Sequence, residues 1–362
     1  MGYDERKQKT GGGLPTLFLI LILFTVAAVC AACVKQESPP VTDSPKDASV
    51  APLPRYAMIV KEKENQYMIN MYTGFENACK ELGVEAVMCG PESYEPEAQI
   101  DIIERLIESR VEVIAIAANH TDLLEDALKT AMDAGITVVS VDSSVNPDSR
   151  MVHIQQADPE KVGRVLVQAA SRMVDGAGVA AVISSTQYAT NQNQWLYWIE
   201  QEYADNPLKY KDFTLLDVRY GDDSAEKTIL EMDALFREHP DINVVIALSA
   251  VSMPVIGRYL KNTKQPAVYT GLGQPSAMSE YVLDGICPSM YLWNPIDLGY
   301  LAAYSSNALS EGGIAADIGD TFNAGRLGLR SVSAAADGGT EILLGNPVKF
   351  DAENIVQWRS VY

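Results

Sequence analysis

The segment VEVIAIAANHTDLLEDALKTAMDAGITVVSV, residues 111–141, reads as strand, helix and strand with little between them. VEVIAIA (111–117) and ITVVSV (136–141) are apolar runs of strand length, and TDLLEDALKTAMDAG (121–135) repeats its apolar residues at helical spacing. Thr121 stands where an N-cap is expected and Gly135 where the helix should stop. Strands joined by such a helix lie parallel through a right-handed crossover.

The same beat extends in both directions. YAMIV (56–60) and VEAVMC (84–89) are further strands, and residues 67–83 and 96–109 are further helices. After residue 155 the beat resumes, with strands near 178–184, 213–219, 243–248, 267–271 and 288–292. Helices alternate with them near 158–174, 191–204, 224–238, 252–261 and 296–310. About 308 residues from 55 onward are too many for one ordinary core. The prediction is an α/β protein of two doubly wound, Rossmann-like lobes, with ligand bound beyond the carboxyl ends of the strands.

The amino terminus sets the compartment. MGYDERKQKT carries Arg6, Lys7 and Lys9, an uncharged apolar run occupies 14–29, and CAAC follows at 30–33. That order reads as a secretory signal over 1–32. The apolar run is short for a spanning helix, which needs about 20 residues, so an uncleaved anchor is the alternative. Ala31 and Ala32 before Cys33 are similar to a bacterial lipobox, making Cys33 the expected lipidated residue and Cys30 the second choice. Residues 33–54 are rich in proline and polar side chains and lack apolar periodicity, so they are expected to be a disordered tether. Fully extended, it would reach about 70 Å. The membrane is then touched only through the lipid, on the outer face of the cytoplasmic membrane or in the periplasm.

The formal charge is −20. Residues 1–32 hold Asp4, Glu5, Arg6, Lys7 and Lys9; the remainder carries 25 basic against 46 acidic groups, or −21. Nucleic acid and anionic lipid are therefore excluded as partners by repulsion. Beyond the leader the cysteines are Cys79, Cys89 and Cys287, an odd set without metal or disulfide spacing. Cys79, with Phe75 and Leu82 on a helix face, is expected to be a buried hydrophobe.

The residues after each strand carry the functional signal. Lys61 and ENQY (64–67) follow the first strand and Asp142 the fourth. TNQNQW (190–195), LSAVS (248–252), Trp293 and Asn294 follow strands of the second lobe. One ammonium, one carboxylate, several amides and aromatic faces suit vicinal hydroxyls and the C–H face of a sugar ring. Asn and Gln also cap helices, and Trp195, Tyr197 and Trp198 also suit helix packing. Asn191 and Gln192 are expected to face the cleft, with Trp195 as wall or core.

From about residue 55 the chain resembles the type 1 periplasmic sugar-binding proteins of ABC importers, above all the rhamnose-binding and autoinducer-2-binding groups. The similar stretches are ACKELGVEAVMCGP (78–91), VDSSVNPDSRMVHIQQADPEKVG (141–163), NQNQW (191–195) and GLGQPSAMSEYVLDG (271–285). LWNPIDLGYLAAY (292–304), GDTFNAGRLG (319–328) and ILLGNPVKFDAENIVQW (342–358) extend them. The resemblance implies a periplasmic binding protein-like I fold with three crossings, expected near 155, 294 and 335. The lobes would then be 55–155 plus 294–335 and 156–293 plus 336–362. It also implies a ligand set. Autoinducer-2 binders place Lys and Asp at Lys61 and Asp142, Asp-Gln at Asn191 and Gln192, and Pro and Ala at Leu248 and Ala250. Rhamnose binders resemble this chain in having NQN at the turn, and ribose-type relatives support Tyr67 and Asp142.

The implied function is hinge closure on a monosaccharide, L-rhamnose or a similar deoxyhexose or pentose, and delivery by a monomer to an ABC permease. Lys61, Tyr67 and Asp142 would act from one lobe, Asn191, Gln192 and Ala250 from the other, with Trp293 and Asn294 at the hinge. Autoinducer-2 is the alternative ligand, and presentation to a membrane sensor the alternative role. Catalysis is not expected, nor is a cofactor or metal. Three histidines show no paired spacing, no G-x-S-x-G occurs, and GLGQPS (271–276) lacks the third glycine of a dinucleotide loop. His153 is expected to be structural. Asp222/Asp223 and Glu62/Glu64 are read as solvated loop residues, leaving Asp142 alone in the cleft, whereas glycosidases need two carboxylates. A cytoplasmic repressor would need a helix-turn-helix ahead of the first strand.

Overall fold

The computed structural model describes residues 52–362; the expected leader, Cys30, Cys33 and the tether up to residue 51 lie outside the described residues. The first five strands are β1 (Arg55–Ile59), β2 (Glu85–Cys89), β3 (Val113–Ile116), β4 (Thr137–Val141) and β5 (Val152–Gln155). They lie parallel in the order 2-1-3-4-5, joined through α1 (Gln66–Leu82), α2 (Pro96–Glu108) and α3 (Glu125–Asp133). Alternate residues of β1 belong to different cores. Tyr56 and Met58 pack with α1, whereas Ala57 and Ile59 pack with α2 and α3. A strand covered on both faces buries nearly all its residues and reads as an apolar run.

The second set repeats this plan. After α4 (Pro159–Met173) come β6 (Ala177–Ser184), α5 (Thr190–Asp205), β7 (Asp212–Tyr220), α6 (Ala225–Glu238), β8 (Ile242–Ala247), α7 (Ser252–Thr263) and β9 (Val268–Gly271). Their parallel order, 7-6-8-9, matches 2-1-3-4 of the larger sheet. α8 (Pro275–Leu283) then leads to β10 (Ser289–Leu292), which meets β9's end through a Leu272–Tyr291 bridge. The GLGQPS turn therefore opens a helix, with Pro275 at its first position.

The chain moves between the sheets three times. After β5, α4 packs on α5; after β10, α9 (Pro295–Ser310) returns to α1. Gly74 of α1 and Gly299 of α9 permit that contact. An added Cβ at either would lie 1.7 Å from a backbone oxygen of the facing helix. β11 (Thr321–Asn323) and β12 (Leu329–Ala334) form an antiparallel extension, and β13 (Thr340–Leu343) joins it to β5. The crossing expected near 335 is thus corrected. Glu341 registers with His153 and Ile342 with Ile154, because β13 covers what would otherwise be an open strand edge and buries Ile342 completely. The chain leaves this sheet only after Leu343, and β14 (Val348–Asp351) pairs with β10 ahead of the short α10 (Ile355–Trp358).

One helix start also differs. α3 begins at Glu125 rather than after an N-cap Thr121, and the turn before it is closed by His120 Nδ1, which accepts from the amides of Asp122 and Leu123. His153 is buried on β5 against Ser140 Oγ at 2.8 Å, and burial together with the Arg150 charge lowers its pKa to about 3. It is a neutral core histidine. Cys79, Cys89 and Cys287 are free; Cys79 is fully buried, and desolvation pushes its thiol up to about 12. Among the described residues no helix is long and apolar enough to cross a membrane.

Candidate functional site

β1 and β4 of the larger sheet and β6 and β8 of the smaller one direct their carboxyl ends at one cavity. This is where the switch-point rule for doubly wound sheets places a ligand. The cavity encloses about 450 Å3 of empty space, counting its mouth. Lys61, Tyr67, Asp142, Asn191, Gln192, Ala250 and Trp293, predicted from the sequence, all line it. Asn294, expected at the hinge, is not part of this lining. Its side chain caps α9, accepting from the Ile296 amide at 3.0 Å and donating to Asp297 at 3.0 Å, so both ends of the amide serve the helix.

The strand ends are held rigidly. Gln99 of α2 donates to the carbonyls of Val60 and Ala117 and accepts from the Asn119 amide. Asn119 in turn donates to the Lys61 carbonyl at 2.9 Å. Gln99, buried with both ends of its amide bonded, fixes this turn, and Asn119 extends the hold to the backbone on which Lys61 sits.

Asp142 is the centre of the site. It is 4% exposed and has a φ of 64°, a left-handed conformation that few non-glycine residues adopt and that Asp tolerates better than most. Its Oδ1 accepts from Tyr67 Oη at 3.0 Å, and its Oδ2 from Asn191 Nδ2 at 3.2 Å. Lys61 Nζ lies 3.4 Å from the same Oδ2. Trp293 Nε1 donates to Tyr67 Oη at 2.6 Å, so indole, phenol and carboxylate form one directed chain. Burial, with the Asp142 charge second, raises the Tyr67 pKa well above its ordinary value, so it stays a neutral donor.

Asn191 and Gln192 occupy the first turn of α5. Gln192 Oε1 accepts from Ser184 Oγ at 2.7 Å and the Ser185 amide at 2.8 Å, which clamps the helix start to the end of β6. The lobes touch around this turn. Ser144 N donates to Thr190 Oγ1 at 3.0 Å, and the His120 ring lies 4.8 Å from that of Tyr188.

One residue of the site was misread in the sequence. Asp223, taken as solvated, lines the cavity from the turn after β7 and accepts from Ser249 Oγ. The cleft therefore holds two carboxylates, not one. Burial raises the Asp223 pKa, with the Ser249 bond and the Lys61 charge opposing. Asn65 caps α1 and donates to Tyr94 Oη at 2.8 Å. Trp195, 5.5 Å from Trp293 ring to ring, is cavity wall. Met68, Leu248, Val251, Leu272 and Leu292 supply an apolar lining. Among the described residues no group of His, Cys, Asp and Glu could hold a metal ion.

Two α/β lobes facing across a cleft of hydrogen-bonding side chains define a solute-binding protein. The periplasmic binding protein domain matches residues 56–314, and the chain belongs to that family. It is a binding protein, not an enzyme. An ABC-transporter solute-binding protein from Clostridium phytofermentas, solved with L-rhamnose bound, is 38% identical, with a TM-score of 0.82 over 86% of this chain and all of that one. A sugar ABC transporter protein from Actinomyces odontolyticus is 34% identical, with a TM-score of 0.69 over 84% of this chain and 97% of its own. The D-ribose/D-allose-binding protein of Pseudomonas aeruginosa is 24% identical over 202 residues, 54% of this chain and 62% of that relative's length. LsrB of Clostridium saccharobutylicum, solved with AI-2, shares the fold at 22% identity and a TM-score of 0.76 over 84% of this chain and 99% of its own.

Proposed function

We propose that the protein is an extracytoplasmic lipoprotein, anchored through Cys33, that closes on L-rhamnose or a similar deoxyhexose or pentose. It then delivers the sugar, as a monomer, to the permease of an ABC importer. Residues 55–155 with 294–343 act as one lobe and 156–293 with 344–362 as the other. The observation that carries this reading is the cavity lining, in which Lys61, Asp142, Asn191 and Gln192 stand with Met68, Leu248, Val251, Leu272 and Leu292. The polar set suits vicinal hydroxyls, and the aliphatic set gives a C-methyl group a dry place that a wholly polar cleft lacks. The rhamnose-bound relative supports the same ligand class. Closure is favoured because the ligand is gripped from both lobes at once.

Autoinducer-2 is the second reading, favoured because Lys61, Asp142, Asn191, Gln192, Leu248 and Ala250 all line the cavity. Against it, the Asn191 amide replaces a charged acceptor. Calorimetric titration of the mature chain, unfolded and refolded to strip carried ligand, tests both with L-rhamnose, ribose, galactose and autoinducer-2. Tight binding of L-rhamnose alone is the expected result. Tight binding of autoinducer-2 alone would select the second reading, and silence from all four would remove both.

A further inference from the structure

The GDDS turn, Gly221–Ser224, divides two adjacent carboxylates between different tasks. Asp222 is exposed and paired with Lys227. Both are left-handed, at φ 50° and 49°, and it is Asp223 that lines the cavity. Among the described residues only its Oδ1 is bonded, to Ser249, and its other oxygen has no partner there. A second loose end lies nearby. Trp195 is 2% exposed, and its Nε1 is buried with no acceptor among the described residues. The indole of Trp293 donates to Tyr67, whereas that of Trp195, on the same cavity wall, does not donate to any protein atom among the described residues. A buried donor without an acceptor is costly and uncommon, and a ligand atom is a direct remedy.

Resting on the sugar-binding reading above, we propose that Asp223 and Trp195 are two further specificity-determining residues. Asp223 accepts from a sugar hydroxyl opposite the one held by Asp142, and Trp195 donates to a hydroxyl or ring oxygen. The two carboxylates then bracket the ligand from opposite lobes with one ammonium, Lys61, between their charges. A cleft with that balance takes uncharged polyols and rejects sugar acids and sugar phosphates, whose anionic groups would be desolvated against Asp142 and Asp223.

The test is calorimetric titration of the mature chain and its Asp223→Asn, Trp195→Phe and Asp222→Asn variants with L-rhamnose, its monodeoxy analogues and L-rhamnonate. Asp223→Asn should weaken L-rhamnose binding on the order of tenfold to a hundredfold, and Trp195→Phe, which keeps an aromatic ring, about tenfold. Asp222→Asn should bind as the parent does, and L-rhamnonate should not bind. For one monodeoxy analogue the Asp223→Asn and parent affinities should coincide, identifying the hydroxyl that Asp223 reads. Affinities within twofold of the parent for both Asp223→Asn and Trp195→Phe would overturn the inference and leave the sugar-binding reading standing. A parent that binds none of these sugars would sink both. If Asp223→Asn does not fold, Trp195→Phe and the rejection of L-rhamnonate decide the matter.

Discussion

Asn191 Nδ2 donates to Asp142 Oδ2 at 3.2 Å, so an amide of one lobe and a carboxylate of the other are joined across the cleft. With Tyr67 on Oδ1 and Lys61 beside Oδ2, Asp142 is met from three directions and belongs to both lobes at once.

Replacing that carboxylate should therefore be expensive for binding. Asp142→Ala is expected to weaken sugar binding by about 2 to 4 kcal/mol. Because φ is 64° there, alanine also adds backbone strain, and Asp142→Asn is the cleaner variant. It should still lose roughly 1 to 3 kcal/mol in a titration. Unchanged affinity for Asp142→Asn would exclude Asp142 from ligand contact.

The amide at 191 discriminates between ligands. Asn191→Asp sets a second carboxylate against Asp142 Oδ2, and two such groups cannot both ionise at low cost. L-rhamnose affinity should fall about tenfold at pH 7.5 and partly recover at pH 5.5, where one of the pair takes up a proton. Titrations at the two pH values check this; a pH-independent loss would mean that charge is not the cause.

Glu202, near the carboxyl end of α5, gives a stability prediction. Burial raises its pKa, but hydrogen bonds from Lys209, Arg164, Gln168 and Tyr210 outweigh that and hold it at about 2. A carboxyl whose folded pKa lies below its unfolded one stabilises above the unfolded value, near 4.5. That contribution is lost as pH falls toward 2. Glu202→Ala should lower stability by about 2 kcal/mol at pH 7, since Arg164 and Lys209 keep some water. Urea unfolding should show a lower midpoint with the slope unchanged at pH 7, and a smaller difference near pH 2.

Glu341 on β13 has the opposite sign. Burial first, then the Asp337 and Asp158 charges, raise its pKa to about 7 from an ordinary 4.5. The folded state holds a proton that the unfolded state releases, so stability falls as pH rises from 4.5 to 7. Glu341→Gln should remove that fall and leave the protein about 1 kcal/mol more stable at pH 8, the figure allowing for its partial exposure. Denaturation curves at pH 5 and 8 that shift equally for parent and variant would contradict it.

Much of the fold was legible because β1, β3, β4 and β8 are buried on both faces and read as unbroken apolar runs. The strands that escaped are β5, whose VHIQ carries a histidine and a glutamine, and the short strands β11 to β14. Polarity hid β5, because Ser140 satisfies its histidine inside the core. Lys61, Asp142, Asn191 and Gln192 were legible from their places just beyond the carboxyl ends of strands, where a doubly wound sheet presents its ligand contacts. Asp223 stands in the same relation to β7, but a second aspartate beside it made the turn look solvated, and only the side chain's direction separates the two. Asn294 has a second reading. Asn-Pro ahead of an apolar helix is a capping signature, and the cap uses its whole side chain.

The route of the chain through the two sheets has a consequence for the order of synthesis. β1 to β5 emerge first, yet α1 rests on α9, and β5 has its outer neighbour only when residues 340–343 have been made. The lobe begun first is therefore finished last, after most of the other lobe. A nascent chain of 155 residues has an uncovered helix and an open sheet edge, and it cannot settle into its final form. For an exported protein, as proposed, that postponement is useful. It leaves the polypeptide loose enough to be threaded through a membrane channel, and stable folding waits until nearly all of it has reached the other side.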